Sequence, residues 1–270
     1  MKLKAILLSA LIIFSFASCG KEGPVDPAKN GGNGGNGGTG TVTSEWTEIE
    51  HEGFTVKIRT AVAQTADAQN AIAQMKLNLT EINKIIPEKA LKVMKEHPIW
   101  MEKDLTDGAA WYHVSKEYLA SQGYMTEKWQ CVEICNYVNY YNWTRQNQPY
   151  MVLHELCHLY HNLGIENGYQ NTDIYNAWQH AKESGMYKGT AYRNYTTDPE
   201  SKWNYTYTKD GAYCLNDQME YFSEMCEAYW GENDYYPFNY EQLQEYDPQA
   251  FEVMVKIWGP RADKQYKEWR

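Results

Sequence analysis

The chain has 270 residues, a length that usually means one domain with appendages, and 43% of them are hydrophobic, enough for a real core. Its formal net charge of -10 argues against nucleic acid as a partner, which needs a basic footprint, and against docking on anionic lipid through basic patches. Aromatic residues reach 14% of the chain, with 23 Tyr and 10 Trp, and such side chains serve clefts and plain cores alike.

The chain opens with a targeting pattern. Lys2 and Lys4 precede an apolar run from Ala5 to Phe16, which is too short for a mature membrane span but fits a secretory leader. Phe16-Ala17-Ser18-Cys19 resembles a bacterial lipobox, with Phe where Leu is commoner. The resemblance implies a signal peptide over 1–19, a lipidated Cys19 and a cell-envelope lipoprotein of the outer membrane. Residues 20–45 include GGNGGNGGTG; they cannot bury a core and read as a flexible tether. The folded domain is expected over 46–270.

Phe54 to Val62 alternates and is rich in Val, Ile and Thr, so it predicts a strand. Thr65 to Ile86 carries apolar residues at helical spacing, with Pro87 as its stop. A short helix over Glu88 to Lys95 leads to a strand at Ile99-Trp100-Met101. Ser115 caps a helix that ends before Gly123. The first half of Trp129 to Trp143 reads as a strand. A long helix follows from Tyr150, then helices between Thr172 and Gly185. Arg193 to Ala212 reads as loop or hairpin. Met219 to Trp230 and Pro248 to Trp258 complete the helices. Many helices and few strands give an α+β, mostly helical domain with a small sheet.

The chemistry concentrates in His154-Glu155-Leu156-Cys157-His158. Histidines at i and i+4 share one helix face and converge on one ion. Glu155 lies between them, within reach of a water on that ion. A zinc hydrolase needs a third protein ligand and an open fourth position. His161 is a poor third ligand, because seven helical residues rise roughly 10 Å; it reads as an exposed or hydrogen-bonded neighbour. Glu220 and Glu224 form a better source, one turn apart on an amphipathic helix. The same Glu220 also completes a capping box with Asp217, and spacing alone leaves both readings open.

HELCH, Tyr213 and Glu220-Tyr221-Phe222-Ser223-Glu224 together resemble the catalytic domain of the anthrax lethal factor group of zinc peptidases. Ala110 to Asp247 also resembles a bacterial group sharing QP-x-x-VLHEL and MEYF-x-E. The resemblance implies a zincin-like metallopeptidase fold with an active-site HExxH helix. It implies His154, His158 and Glu220 as Zn2+ ligands, Glu155 as general base and Tyr213 as oxyanion stabiliser. It implies Glu224 as a carboxylate that hydrogen-bonds a ligand histidine. The substrate would be a peptide or protein. Two rivals stand beside this reading. One is a non-catalytic zinc-containing envelope lipoprotein with a binding or structural role; the other is an enzyme acting on a peptidoglycan peptide or an acylated sugar.

Two further features have two readings each. Tyr137, Tyr140, Tyr141 and Trp143 line a groove or fill the core. His113 and Ser115 touch substrate, or Ser115 caps a helix beside a polar neighbour. Cys131 and Cys135 would lie ~13 Å apart on a strand, so no bridge between them is expected. Five cysteines remain beyond Cys19, and an odd number cannot all pair.

Overall fold

The computed structural model describes residues 44–106, 108–194 and 204–261. The leader, Cys19 and most of the expected tether lie outside the described residues. No helix among the described residues is long and apolar enough to cross a membrane.

The domain is α+β. It begins with β1 (Trp46–His51) and β2 (Phe54–Arg59), joined by a tight turn at Glu52-Gly53. Phe54, Val56 and Ile58 alternate inward, as a half-buried strand requires. The strand expected to reach Val62 stops at Arg59, where a turn leads to α1 (Ala66–Ile85). The Thr65 side chain caps α1 by accepting from Ala68 N. α2 (Glu88–Lys95) and β3 (Ile99–Met101) follow at the expected bounds.

β4 (Ala110–Tyr112) was not foreseen; three residues are too few to show a period. α3 (Lys116–Ser121) starts from the Ser115 cap. β5 (Val132–Ile134) is the strand expected after Trp129, but it is short. Asn136 then accepts from Val138 N and Asn139 N, which starts α4 (Tyr137–Gln146). The aromatic set therefore lies on a helix. Tyr137 and Tyr140 are core residues, and Tyr140 donates to Asn78 Oδ1 on α1 at 2.5 Å.

The sheet runs β1-β2-β3-β5-β4. β2, β3 and β5 are parallel, and β1 and β4 are antiparallel edges. α1 and α2 supply the crossover that a parallel pair needs.

The second half is helical. α5 (Met151–Leu163) carries HELCH, and α6 (Thr172–Ser184) ends at Gly185 in the left-handed conformation. β6 (Ala191–Asn194) and β7 (Asn204–Tyr207) form a separate antiparallel pair. α7 (Gln218–Trp230), α8 (Tyr240–Tyr246) and α9 (Pro248–Trp258) close the domain. α5 is buried from Met151 to His161, and α7 from Glu220 to Trp230. Two helices buried all round are each other's main surroundings.

The end of α7 is fitted against the start of α5. A Cβ on Gly231 would stand 1.8 Å from Tyr150 Cζ, and Tyr150 is buried immediately before α5. Gly231→Ala should therefore cost about 1–3 kcal/mol through overpacking. Denaturant titration checks this, and unchanged stability would show that Tyr150 has room to move.

Candidate metal centre

α5 has no side-chain cap; its backbone ladder begins with His154 N donating to Tyr150 O at 2.8 Å. Leu153, Leu156, Cys157 and Leu159 are fully buried and fix its rotation. α7 is capped by Asp217, whose Oδ1 accepts from Met219 N and Glu220 N at 2.9 Å each. The side chain of Glu220 turns toward the histidines. Asp217 is thus a true cap, while Glu220 is free to serve elsewhere. Only the Asp217 half of the capping box forms, and the Glu220 carboxylate serves the histidines instead.

Three donor atoms meet between the helices. Glu220 Oε2 lies 3.0 Å from His154 Nε2 and 3.2 Å from His158 Nε2. The two Nε2 atoms are 3.1 Å apart. Tetrahedral ligands at roughly 2.0–2.1 Å from one ion stand roughly 3.3 Å from each other. The set therefore fits a small divalent ion with little movement. Burial opposes the charge on Glu220, but His158 and His154 outweigh it and hold this carboxyl well below the usual range. The other oxygen, Glu220 Oε1, accepts from the Tyr213 hydroxyl at 2.9 Å. Tyr213 sits on a single 3-10 turn, Tyr213–Leu215, just ahead of α7.

His154 is held on its far side as well. Its Nδ1 pairs with Glu227 Oε1 at 2.6 Å. A carboxylate at Nδ1 keeps the proton there and leaves the Nε2 lone pair for a metal. This is the role the resemblance gave to Glu224. Glu224 stands beside Glu227, but its Oε2 accepts from Asn233 Nδ2 at 3.0 Å. Glu220, Glu224 and Glu227 share one face at i, i+4 and i+7, so the pattern that exposed Glu224 also contained Glu227.

His154, Glu224 and Glu227 form a second set of close donor atoms. Its carboxyls differ from Glu220. Burial, with Asp234 and Glu227 nearby, pushes Glu224 well up. Burial also raises Glu227. Asp234 is pushed to about 7 by burial and then by Glu227. All three are shifted in the direction opposite to Glu220, whose carboxyl the histidines hold down.

Glu155 is buried, and burial raises its pKa against the opposing pull of His158 and His154. A carboxylate so raised is a stronger base than one in water. His113 lies close enough for Glu155 to feel its charge, yet its Nε2 is engaged by Glu133 Oε2 at 2.6 Å. Ser115 acts as the cap of α3.

His161 departs from expectation. It is fully buried, and neither ring nitrogen has a hydrogen-bond partner. It packs on Tyr169 and Phe222, each with ring centroids 4.8 Å away. Tyr169 was not foreseen near the site; its hydroxyl donates to His158 O at 3.2 Å.

Searched against protein-family models, curated proteins and solved structures, the chain matches none.

Burial, with His158 nearby, lowers the His161 pKa from 6.5 to about 3. Its neutral ring contributes stability that is complete above pH 6.5. That stability is lost as pH falls toward 3, because the unfolded chain takes up the proton first. His161→Leu also removes two unsatisfied nitrogens, so it should be neutral or stabilising by up to about 2 kcal/mol at pH 7. Its stability should fall less steeply than wild type between pH 6.5 and 3. Superimposable acid profiles in denaturant titrations would contradict this account of His161.

Proposed function

We propose that this chain is a zinc-dependent peptidase of zincin-like, lethal-factor-like type, acting from a lipid anchor at Cys19 in the cell envelope. The carrying observation is the convergence of His154 Nε2, His158 Nε2 and Glu220 Oε2 within 3.2 Å of one another. Two imidazoles and one carboxylate are a zinc donor set that leaves a fourth position for water or substrate. The bound ion would supply a water acidified to near neutrality and an electrophile for the substrate carbonyl.

The chain's own residues supply the rest. Glu155 accepts the proton of the attacking water and returns a proton to the leaving amine. Its raised pKa suits both halves of that exchange. The Tyr213 hydroxyl, which donates to Glu220 Oε1 at 2.9 Å, would turn from that carboxylate to the oxyanion that develops on the carbonyl oxygen. Glu227 keeps the His154 ring from turning.

A peptide substrate also has a seat. β4 is an edge of the sheet. Its flanking residues Ala109 and His113 bond toward β5, so the alternate residues Ala110 and Tyr112 direct backbone groups outward. An extended peptide can add to such an edge by main-chain hydrogen bonds. The Tyr112 hydroxyl accepts from Asn162 Nδ2 on α5 at 2.9 Å, tying this edge to the HELCH helix.

Metal analysis and peptide hydrolysis test the proposal together. Wild type should bind one zinc and cleave peptides, with activity lost to a chelator. Glu155→Gln should keep zinc and lose roughly 100- to 10,000-fold in kcat, and Glu220→Ala should lose the metal. Zinc retained by wild type with no hydrolysis of any peptide would favour the non-catalytic reading.

The ring support has its own measurement. Glu227→Gln should weaken zinc affinity roughly 10- to 100-fold, read by competition with a chromogenic chelator. An affinity equal to wild type would mean that Glu227 does not orient His154.

A further inference from the structure

A pocket of about 410 Å³ lies beside Tyr213, walled also by Lys182, Lys188, Asp210, Leu215 and Tyr235. Its volume falls in the range of ligand sites. Tyr213 belongs to both places: its hydroxyl is on Glu220 Oε1, and the residue is part of the pocket wall. Tyr213 thus links the donor triangle to the pocket wall.

The walls are held in shape by the backbone. Ala212 N donates to Tyr187 O at 2.9 Å, and Thr208 N donates to Thr190 O at 3.0 Å. Gly211 has φ +105°, and a Cβ there would meet Leu215 Cδ1 at 2.7 Å, so the loop approaches the start of α7 as closely as glycine permits. The lining includes the apolar residues Ala212 and Leu215.

The rim carries the specific signal. The chain is strongly acidic at -10, yet this rim has two lysines against one aspartate. Among the described residues neither lysine takes part in an ion pair. Lys182 lies over the Trp178 ring at 4.7 Å, which steadies the side chain. A lining that combines two lysines with apolar residues matches a short aliphatic stem ending in a carboxylate.

We propose that this pocket is a specificity site for an acidic side chain, Asp or Glu, of the peptide substrate. The inference rests on the peptidase reading given above, and its test separates the two. A randomised peptide library cleaved by the zinc-loaded full chain should show Asp or Glu enriched at one fixed distance from the cut. Lys182→Gln with Lys188→Gln should lower kcat/KM on the best acidic peptide about tenfold, the loss of one charge-assisted contact. A peptide with Gln at that position should be unaffected. Asp210→Asn should act in the opposite direction and favour the acidic peptide further. Both lysines and Asp210 are exposed, so these variants leave the fold intact.

Cleavage without acidic preference, or a preference that survives the double lysine variant, overturns the pocket assignment and leaves the peptidase reading standing. If no peptide is cut, the peptidase reading falls, and binding decides the pocket by itself. A fluorescein-labelled polyalanine peptide with a central glutamate is then titrated into the Glu155→Gln protein and followed by anisotropy. Binding that disappears in the double lysine variant supports the pocket, and absence of binding overturns it.

Discussion

His154 is gripped at both ring nitrogens by one helix. Glu220 meets Nε2 at 3.0 Å, and Glu227 meets Nδ1 at 2.6 Å. The two carboxylates are seven residues apart on α7, a rise of roughly 10 Å, and the ring bridges them. This sets the register of α5 against α7, because a shift of either helix by one turn would break both bonds. Cys157 and Cys226 lie in the same interface, each fully buried, with the Cys226 thiol beside that of Cys157. Small side chains there let the helices approach closely enough for the grip. Cys157 acts as packing.

The price of the grip is a group of carboxyls buried without lysine or arginine partners. Isolated buried charge is very costly, and the fold resolves this by sorting protons. The carboxyl that faces two imidazoles, Glu220, is held ionised. Glu224 and Asp234, one layer out, are pushed toward neutrality and kept by Asn233 and Gln148. The result is one carboxyl held down beside the imidazoles, with the outer carboxyls shifted the other way and hydrogen-bonded. A cation placed at the donor triangle meets that charge, while the outer carboxyls act as hydrogen-bonding supports.

Much of this was legible in the sequence, for reasons that differ by element. α1, α2, β3 and α9 fall where expected because their ends carry strong local chemistry: the Thr65 cap, Pro87, Pro98 and the Asp247-Pro248 start. β1 and β4 were missed. β1 is a half-exposed edge with glutamates, and β4 is too short for a period. The run after Cys135 carried no assignment, and Asn136 caps a helix there. At the site, i,i+4 spacing revealed His154 and His158, while spacing left Glu220 between ligand and capping box and only the family resemblance pointed to it as a ligand. Which carboxylate reaches Nδ1 was not legible, since Glu224 and Glu227 share a face and only the crossing of α5 over α7 selects between them. His161 was misjudged for a related reason: helical spacing separates it from His154 but says nothing of Tyr169 and Phe222, which cover it.

The sheet contributes more than a platform. Glu102, after β3, accepts from Arg59 of β2 at 3.2 Å and from Lys128 at 2.9 Å. Lys128 also pairs with Glu133 of β5, and Glu133 binds His113 after β4. Burial opposes the charge on Glu133, but His113 and Lys128 together lower its pKa. This chain of charges ties β2, β3, β5 and the end of β4 at one level, and each member compensates its neighbour, so a buried network is tolerable there. Its last member, His113, is also the sheet residue whose charge Glu155 feels. Glu155 thus lies between two ordered polar systems: the gripped imidazoles of α5 and the network of the sheet. Groups held on rigid elements by packed and hydrogen-bonded supports keep their geometry far better than groups on loops. The candidate base and both histidines ride on one buried helix, fixed by α7 on one side and by the Tyr112–Asn162 bond to the sheet edge on the other. A proton acceptor that must hold its place while a water is deprotonated needs both constraints, and this fold provides them from elements far apart in the chain.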